Sequence, residues 1–196
     1  MNKIILIGGG GHCKSVIDVI EQENKFEIAG IIDKPELLNS KILGYPIIGN
    51  DSDLKSLAEK YQYAIITVGQ IKHSSTRIKL YNLAIEARFT LPSIVSPHAY
   101  VSKHSLVGKG TVVMHGATIN SNSIIGNNCI INSCSLIEHE VDIGDNCHIS
   151  TGAIINGQSK IGNETFVGSG SIVKNGVCIS KKKIISFGSV VSKDLE

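Results

Sequence analysis

Every sixth residue from Val95 to Val191 is Val or Ile, seventeen positions in succession without an exception. Four residues after most of these anchors stands a small side chain, as at Ala99, Ser105, Thr111, Ala117, Ser123 and Cys129. A helix of about 3.6 residues per turn cannot keep a six-residue pattern on one side. A short fixed period means a stack of like units, each burying the face its neighbour exposes. Gly108, Gly126, Gly144 and Gly162 recur at intervals of eighteen, so three hexads close one coil and one corner stacks coil upon coil. The β-branched anchors point inward from three short flat strands, and the small residues fill the tight corners. Cys129 and Cys147 then share one inner column, about 4.8 Å apart, and read as small core residues rather than as a metal or redox pair.

The first 92 residues have a different texture. Lys3–Gly8 reads as a buried strand, His12–Glu23 as an amphipathic helix, Phe26–Ile32 as a second strand ending at Asp33, and Tyr63–Val68 as a third. A short helix is expected over Asp51–Tyr61 with Asp51 or Ser52 as its N-cap, and another over Ser74–Ala87. Strands alternating with helices imply a small parallel sheet of Rossmann-like type. The expected division is therefore an α/β domain over 1–92 and a solenoid over 93–196. A solenoid leaves flat outer sides in need of cover, which three prisms packed about a threefold axis would supply, so a homotrimer is expected.

The net charge of +2 gives no reason to expect nucleic acid as a partner. No apolar run approaches membrane-spanning length, and Ile4–Ile7 is too short for a signal segment, so a cytoplasmic protein without a membrane partner is expected. The five cysteines form no C-x-x-C pair and are expected as free thiols.

Most outward positions of the repeat carry Ser, Asn, Gly or Lys, which is ordinary solvated surface. Ile137-Glu138-His139-Glu140-Val141-Asp142, followed by His148, differs: an imidazole beside a carboxylate is equipment for removing a proton from a nucleophile at neutral pH. The bland alternative is an exposed histidine without a task. His148 lies half a coil beyond His139, so the two could share a cleft only if a second subunit closes it. His73, His98, His104 and His115 lack such neighbours in the chain and read as surface or packing residues. The histidines also lack the spacing that would gather three imidazoles round a zinc ion, so no metal is expected. Gly8-Gly9-Gly10-Gly11-His12 joins the first strand to the first helix, where glycines admit a ligand to the backbone and a helix N-terminus favours phosphate. A plain strand–helix turn would look similar. Asp33 stands where dinucleotide folds place a ribose-binding acid. Lys181-Lys182-Lys183 is either a solvated charge run on a frayed coil or a positive lip for phosphates.

These pieces together, hexapeptide repeats joined to an N-terminal Gly-Gly-His turn, resemble the bacterial sugar acyltransferases of the PglD/NeuD group. The resemblance runs over essentially the whole chain and is most specific at 4–18, Ile31–Lys34, Val68–Arg77 and Asn132–Ser150. It implies a Rossmann-like subdomain followed by a left-handed parallel β-helix, acetyl-CoA as co-substrate, a sugar or nucleotide sugar as acceptor, and active sites between subunits of the trimer. By resemblance His139 is the general base and Glu140 its polarising partner, while His148 contacts the acetyl-bearing end of the cofactor. Gly157 and Ser169 would line the pantetheine arm, with Phe187 on the cofactor side. Gly10, Gly11 and His12 would cradle the nucleotide sugar, with Asp33 and Gly69 opposite. The presence of His139, Glu140 and His148 favours N-acetylation of a UDP-linked 4-amino sugar. IIDKPE, GYPIIGND and SSTR resemble the sialic acid O-acetyltransferases of the same group, where Lys14 would suit a sugar carboxylate. A nucleotide-sugar-binding trimer without catalysis is the third reading. By resemblance the family often continues through a Gly-x-Pro-Ala segment near the adenine, whereas this sequence stops at Lys193-Asp194-Leu195-Glu196, so an adenine pocket that is open, weaker or built differently is expected.

Overall fold

A computed structural model describes residues 1–71 and 73–196. The N-terminal part is a five-stranded sheet in the order β3-β4-β2-β1-β5, formed by β1 (Asn2–Ile7), β2 (Phe26–Ile32), β3 (Lys41–Ile42), β4 (Tyr45–Gly49) and β5 (Tyr63–Ile66). β1 pairs in parallel with both β2 and β5, and only β3, the edge hairpin strand, runs antiparallel. Two strands here, β3 and β4, go beyond the sequence reading, because Tyr45–Gly49 buries only Ile47 and Gly49 and carries a proline. α1 (Gly11–Glu23) and α3 (Ser75–Glu86) fall where expected. The helix expected over Asp51–Tyr61 is instead a 3-10 turn (Asp51–Asp53) leading into α2 (Leu54–Ala58). Its N-cap is Asn50: the Asn50 side chain accepts from Ser52 N–H at 2.9 Å, and Asp53 accepts from Asn50 N–H at 2.9 Å.

From Ile94 the chain forms seventeen two-residue strands in three parallel sheets, the left-handed parallel β-helix of hexapeptide-repeat proteins. Each strand pairs with those eighteen residues before and after it, as Ile131 does with Val113 and Ile149. The inward anchors Val113, Ile119, Ile125, Ile131, Ile137 and Ile143 are almost fully buried in one continuous core. Burial of each such side chain stabilises the coil by roughly 1.5–3 kcal/mol. Val141 and Val177 stand in the small-residue column beside Ala117 and Cys147, so the corner accepts a β-branched residue as well. Cys129 and Cys147 are buried core thiols.

The three sheets differ on their outer faces. One begins with Ile94–Val95 and presents Ile94, Val112, Ile130, His148, Phe166 and Ile184 outward. Its first two outward side chains, Ile94 and Val112, pack in one core with Val16, Ile17 and Ile20 of α1, so the α/β part is seated on this sheet. The second begins with Tyr100–Val101 and shows Tyr100, Thr118, Leu136, Ile154, Ile172 and Val190 outward. The third begins with Leu106–Val107 and becomes polar at Asp142 and Lys160. Polar contacts reinforce the seat of α1: His115 Nε2 lies 2.7 Å from Asp18 and His115 Nδ1 lies 2.6 Å from Ser96 Oγ, while His98 bonds Gln22 at 2.6 Å. His98 and His115 therefore do have neighbours, an amide and a carboxylate supplied by a helix 76 and 97 residues earlier. Among the described residues no helix is long and apolar enough to cross a membrane.

Candidate active site

Along the covered sheet the outward row changes from Ile94, Val112 and Ile130 to His148, where Gln70 of the loop after β5 meets the coil. A cavity of about 1210 Å³ opens there. Its walls are the glycine turn, the Val68–Ile71 loop after β5, Asn50–Ser52, and the coil residues Asn132, Ser133, His148 and Thr151. This is the carboxyl-end crevice of a parallel sheet, where β1 lies between strands leaving in opposite directions.

His148 is 7% exposed and its ring meets Phe166 edge-on at 5.2 Å. Nδ1 faces the Gln70 carbonyl, which can only accept, so Nδ1 carries the proton. Nε2 accordingly accepts from Asn132 Nδ2 at 3.1 Å. Burial, with the Arg77 charge nearby, pushes His148 down to about 4, against the pull of the Gln70 carbonyl, and the imidazole is neutral at pH 7.

The glycine turn divides into a closed and an open half. A Cβ on Gly9 would stand 2.5 Å from an Asp33 oxygen and from Ile42, whereas Gly10 and Gly11 have nothing within 4 Å of that position. α1 begins here with no side-chain cap and no acidic residue in its first turn, so its partial positive end faces the cavity unneutralised. Asp33 is drawn into the turn itself: it accepts from Gly9 N–H at 2.5 Å and from Lys34 N–H at 2.7 Å. The carboxylate expected to hold a ribose thus shapes the glycine turn, and it still lines the cavity. His12 lines it too, beside Gly69. Burial first, then Arg77 and His148, push His12 down to about 3, and its Nε2 has no partner among the described residues.

His139 lies elsewhere, on the corner between the second and third sheets. Its Nδ1 is 3.1 Å from Glu140 Oε2, and Gln158 Nε2 donates to the same oxygen at 3.3 Å. Glu140 has φ 59, the left-handed geometry this corner repeats at Asn122 and Gln158, so the fold of the turn aims its carboxylate back at the ring. With Nδ1–H donated to Glu140, Nε2 is left in solvent with a free lone pair, the arrangement of a general base. Gly157, one coil further, lies directly over the ring.

Within one chain, then, His139, Glu140 and Gly157 form one group, and Gly10, Gly11, His12, Asp33, Gly69 and His148 another, with the second sheet between them. His148, expected on the cofactor side, belongs to the second group. Ser169 and Phe187 stack in the column of Ser133 and Thr151; Ser169 Oγ bonds Ser150 Oγ at 2.9 Å and Phe187 is 83% exposed. Lys14 is exposed on α1 and is not part of the cavity wall. In the lysine run, Lys182 is 3.8 Å from Glu164 and the Lys183 ammonium donates to the Glu196 carbonyl, and none of the three lysines lines the cavity. Asn132 and Gln70 were not legible as site residues. The eighteen-residue period could have pointed to Asn132, which lies just under one coil before His148. Among the described residues no cluster of three His, Cys, Asp or Glu side chains is placed to hold a metal ion.

The PglD N-terminal domain model matches residues 3–83, the bacterial transferase hexapeptide (six repeats) model 104–139, and the model for the hexapeptide repeat of succinyl-transferase 136–156. PerB from Caulobacter crescentus, solved with CoA and GDP-perosamine, is 32% identical over all of this chain and 91% of its own, with a TM-score of 0.92. The acetyltransferase domain of PglB from Neisseria gonorrhoeae FA1090 is 26% identical over all of this chain and 94% of its own, with a TM-score of 0.93. The same domain solved in complex with acetyl coenzyme A gives 27%, 93% of its length and 0.92. Among curated protein sequences none matches.

Proposed function

The chain belongs to the PglD/NeuD-type family of sugar acetyltransferases, and from that premise we propose that it transfers the acetyl group of acetyl-CoA to the amine of a nucleotide-linked amino sugar. The observation that carries this reading is the His139–Glu140 pair, with Nδ1 held by a carboxylate and Nε2 open. The amine nitrogen attacks the thioester carbon as His139 Nε2 takes its proton. The new C–N bond forms, the C–S bond breaks, and the thiolate of coenzyme A leaves and recovers a proton from the imidazolium. No covalent enzyme intermediate is needed, because positioning and deprotonation suffice for a primary amine. Glu140 fixes the tautomer and favours the imidazolium.

The acceptor's nucleotide lies in the 1210 Å³ cavity, its phosphates at Gly10, Gly11 and the bare end of α1. The support is the open space over both glycines and the uncapped helix. Residues 1–92 thus hold the acceptor, and 93–196 supply the base and the surface for acetyl-CoA, with Gly157, Ser169 and Phe187 along its path. His148, with both ring nitrogens engaged, orders the cavity wall rather than donating to the thioester oxygen. Because base and cavity lie on different corners of one chain, a complete site requires a second copy. The unpaired outward row Tyr100, Leu136, Ile154, Ile172 and Val190 is where it packs, three copies closing a homotrimer with a site at each boundary.

The test is release of free thiol from acetyl-CoA with a panel of acceptors: UDP- and GDP-linked 4-amino sugars, free sialic acid and its CMP form. PerB, solved with GDP-perosamine, places the GDP sugar beside the UDP sugar in that panel. Release driven by a nucleotide amino sugar establishes the reaction. Release with sialic acids alone moves the assignment to O-acetylation, and nucleotide binding without any release would make the protein a sensor.

A further inference from the structure

Arg77 is 1% exposed, and among the described residues its guanidinium meets no carboxylate. Nη1 donates to the carbonyls of Ile66 at 2.9 Å and Val68 at 2.7 Å, and Nε donates to the carbonyl of Asn128 at 3.1 Å. Nη2 has no partner. Burial lowers Arg77 to about 10, so it stays protonated at neutral pH. Burying a cation with no counter-charge is strongly unfavourable, a penalty an apolar side chain of similar length would avoid. The guanidinium is therefore explained by what it holds.

Its three acceptors come from three places: Ile66 ends β5, Val68 starts the loop that walls the cavity, and Asn128 belongs to a coil corner. Two residues beyond Val68, Gln70 meets the coil again. Its carbonyl accepts from His148 Nδ1 and its side chain donates to the Asn146 carbonyl at 3.1 Å. The loop carrying Gly69 is thus gripped at one end by Arg77 and at the other by His148 and Asn146. We propose that Arg77 is a positioning residue for this site, fastening the Val68–Gln70 turn to the coil and so setting, through the Gln70 carbonyl, the tautomer of His148. Its charge also stands behind both cavity imidazoles and adds to the positive end of α1 that faces the ligand.

This inference rests on reading the cavity as the acceptor site, and its first test needs neither substrate nor variant. Ring ¹⁵N NMR of the unaltered protein should show His148 with Nδ1 protonated; an Nε2–H tautomer there overturns the proposal. In Arg77→Met the spectrum should show both tautomers, with binding of UDP or GDP by calorimetry weakened by about tenfold to a hundredfold, the scale of a misplaced positioning group. In Arg77→Lys one ammonium cannot reach three carbonyls, so mixed tautomers are again expected, with a smaller loss of nucleotide affinity because the charge is kept. A wild-type His148 spectrum in either folded variant overturns the assignment. Failure of the unaltered protein to bind UDP or GDP would count against the acceptor-site reading alone, since the tautomer is read without ligand.

Discussion

Gly157 lies one coil beyond His139 and leaves the imidazole the space it occupies: a Cβ on Gly157 would stand 2.8 Å from both Cε1 and Nε2 of that ring. The conflict is with a half-exposed side chain that can turn away, not with backbone. Gly157→Ala should therefore displace the ring, break its 3.1 Å contact with Glu140, and lower kcat by about tenfold to a hundredfold. Unfolding free energy should change by less than about 1 kcal/mol. Steady-state kinetics beside a thermal melt checks this, and an unchanged kcat would show that the ring position does not matter.

The pair itself gives a graded series. His139→Ala should reduce kcat by about two to four orders of magnitude, the usual contribution of a positioned base. Glu140→Gln keeps an oxygen that can accept from Nδ1–H but removes the charge that favours the imidazolium, so its loss should be smaller. Equal losses in both variants would mean that Glu140 does more than orient and polarise.

Stability should fall on mild acidification because of two imidazoles. His12 is held near 3 and His148 near 4 in the folded chain, against 6.5 for an ordinary histidine. Between about pH 6.5 and 4 the unfolded chain binds protons that the folded chain refuses, so the stabilisation present above pH 6.5 is lost as pH falls. The slope is about 1.4 kcal/mol per pH unit for each group deep in that window. Urea unfolding at pH 7, 6 and 5 reads it, and His148→Gln should flatten the dependence; an identical slope in that variant would assign the effect elsewhere.

The outward row of the second sheet should hold the assembly. Leu136 and Ile154 sit at its middle, directly paired through neighbouring strands. Leu136→Arg with Ile154→Arg should give a folded monomer by sedimentation velocity, with acetyl transfer lost because base and cavity no longer meet. A variant that keeps both its size and its activity would place the interface on another face.

The recurrence of Val or Ile at every sixth residue determines the coil by itself, because strand length, corner and inward direction are all set within one hexad and merely repeated. The same holds for the glycine turn and α1, a local strand–turn–helix pattern. The His139–Glu140 contact was also legible, since the two are adjacent in sequence and the corner's left-handed turn brings the side chains together. What the tertiary structure alone decided are contacts between distant segments. Asp33 is given to the Gly9 N–H, His115 to Asp18, His148 to the Gln70 carbonyl and Arg77 to the Asn128 carbonyl, over separations of 24 to 97 residues. Sequence period says that Ile130 and His148 both point outward from the coil. Only the seating of α1 and the loop after β5 on that sheet makes one of them core and the other the wall of a cavity, because an outward side chain takes its environment from whatever covers it.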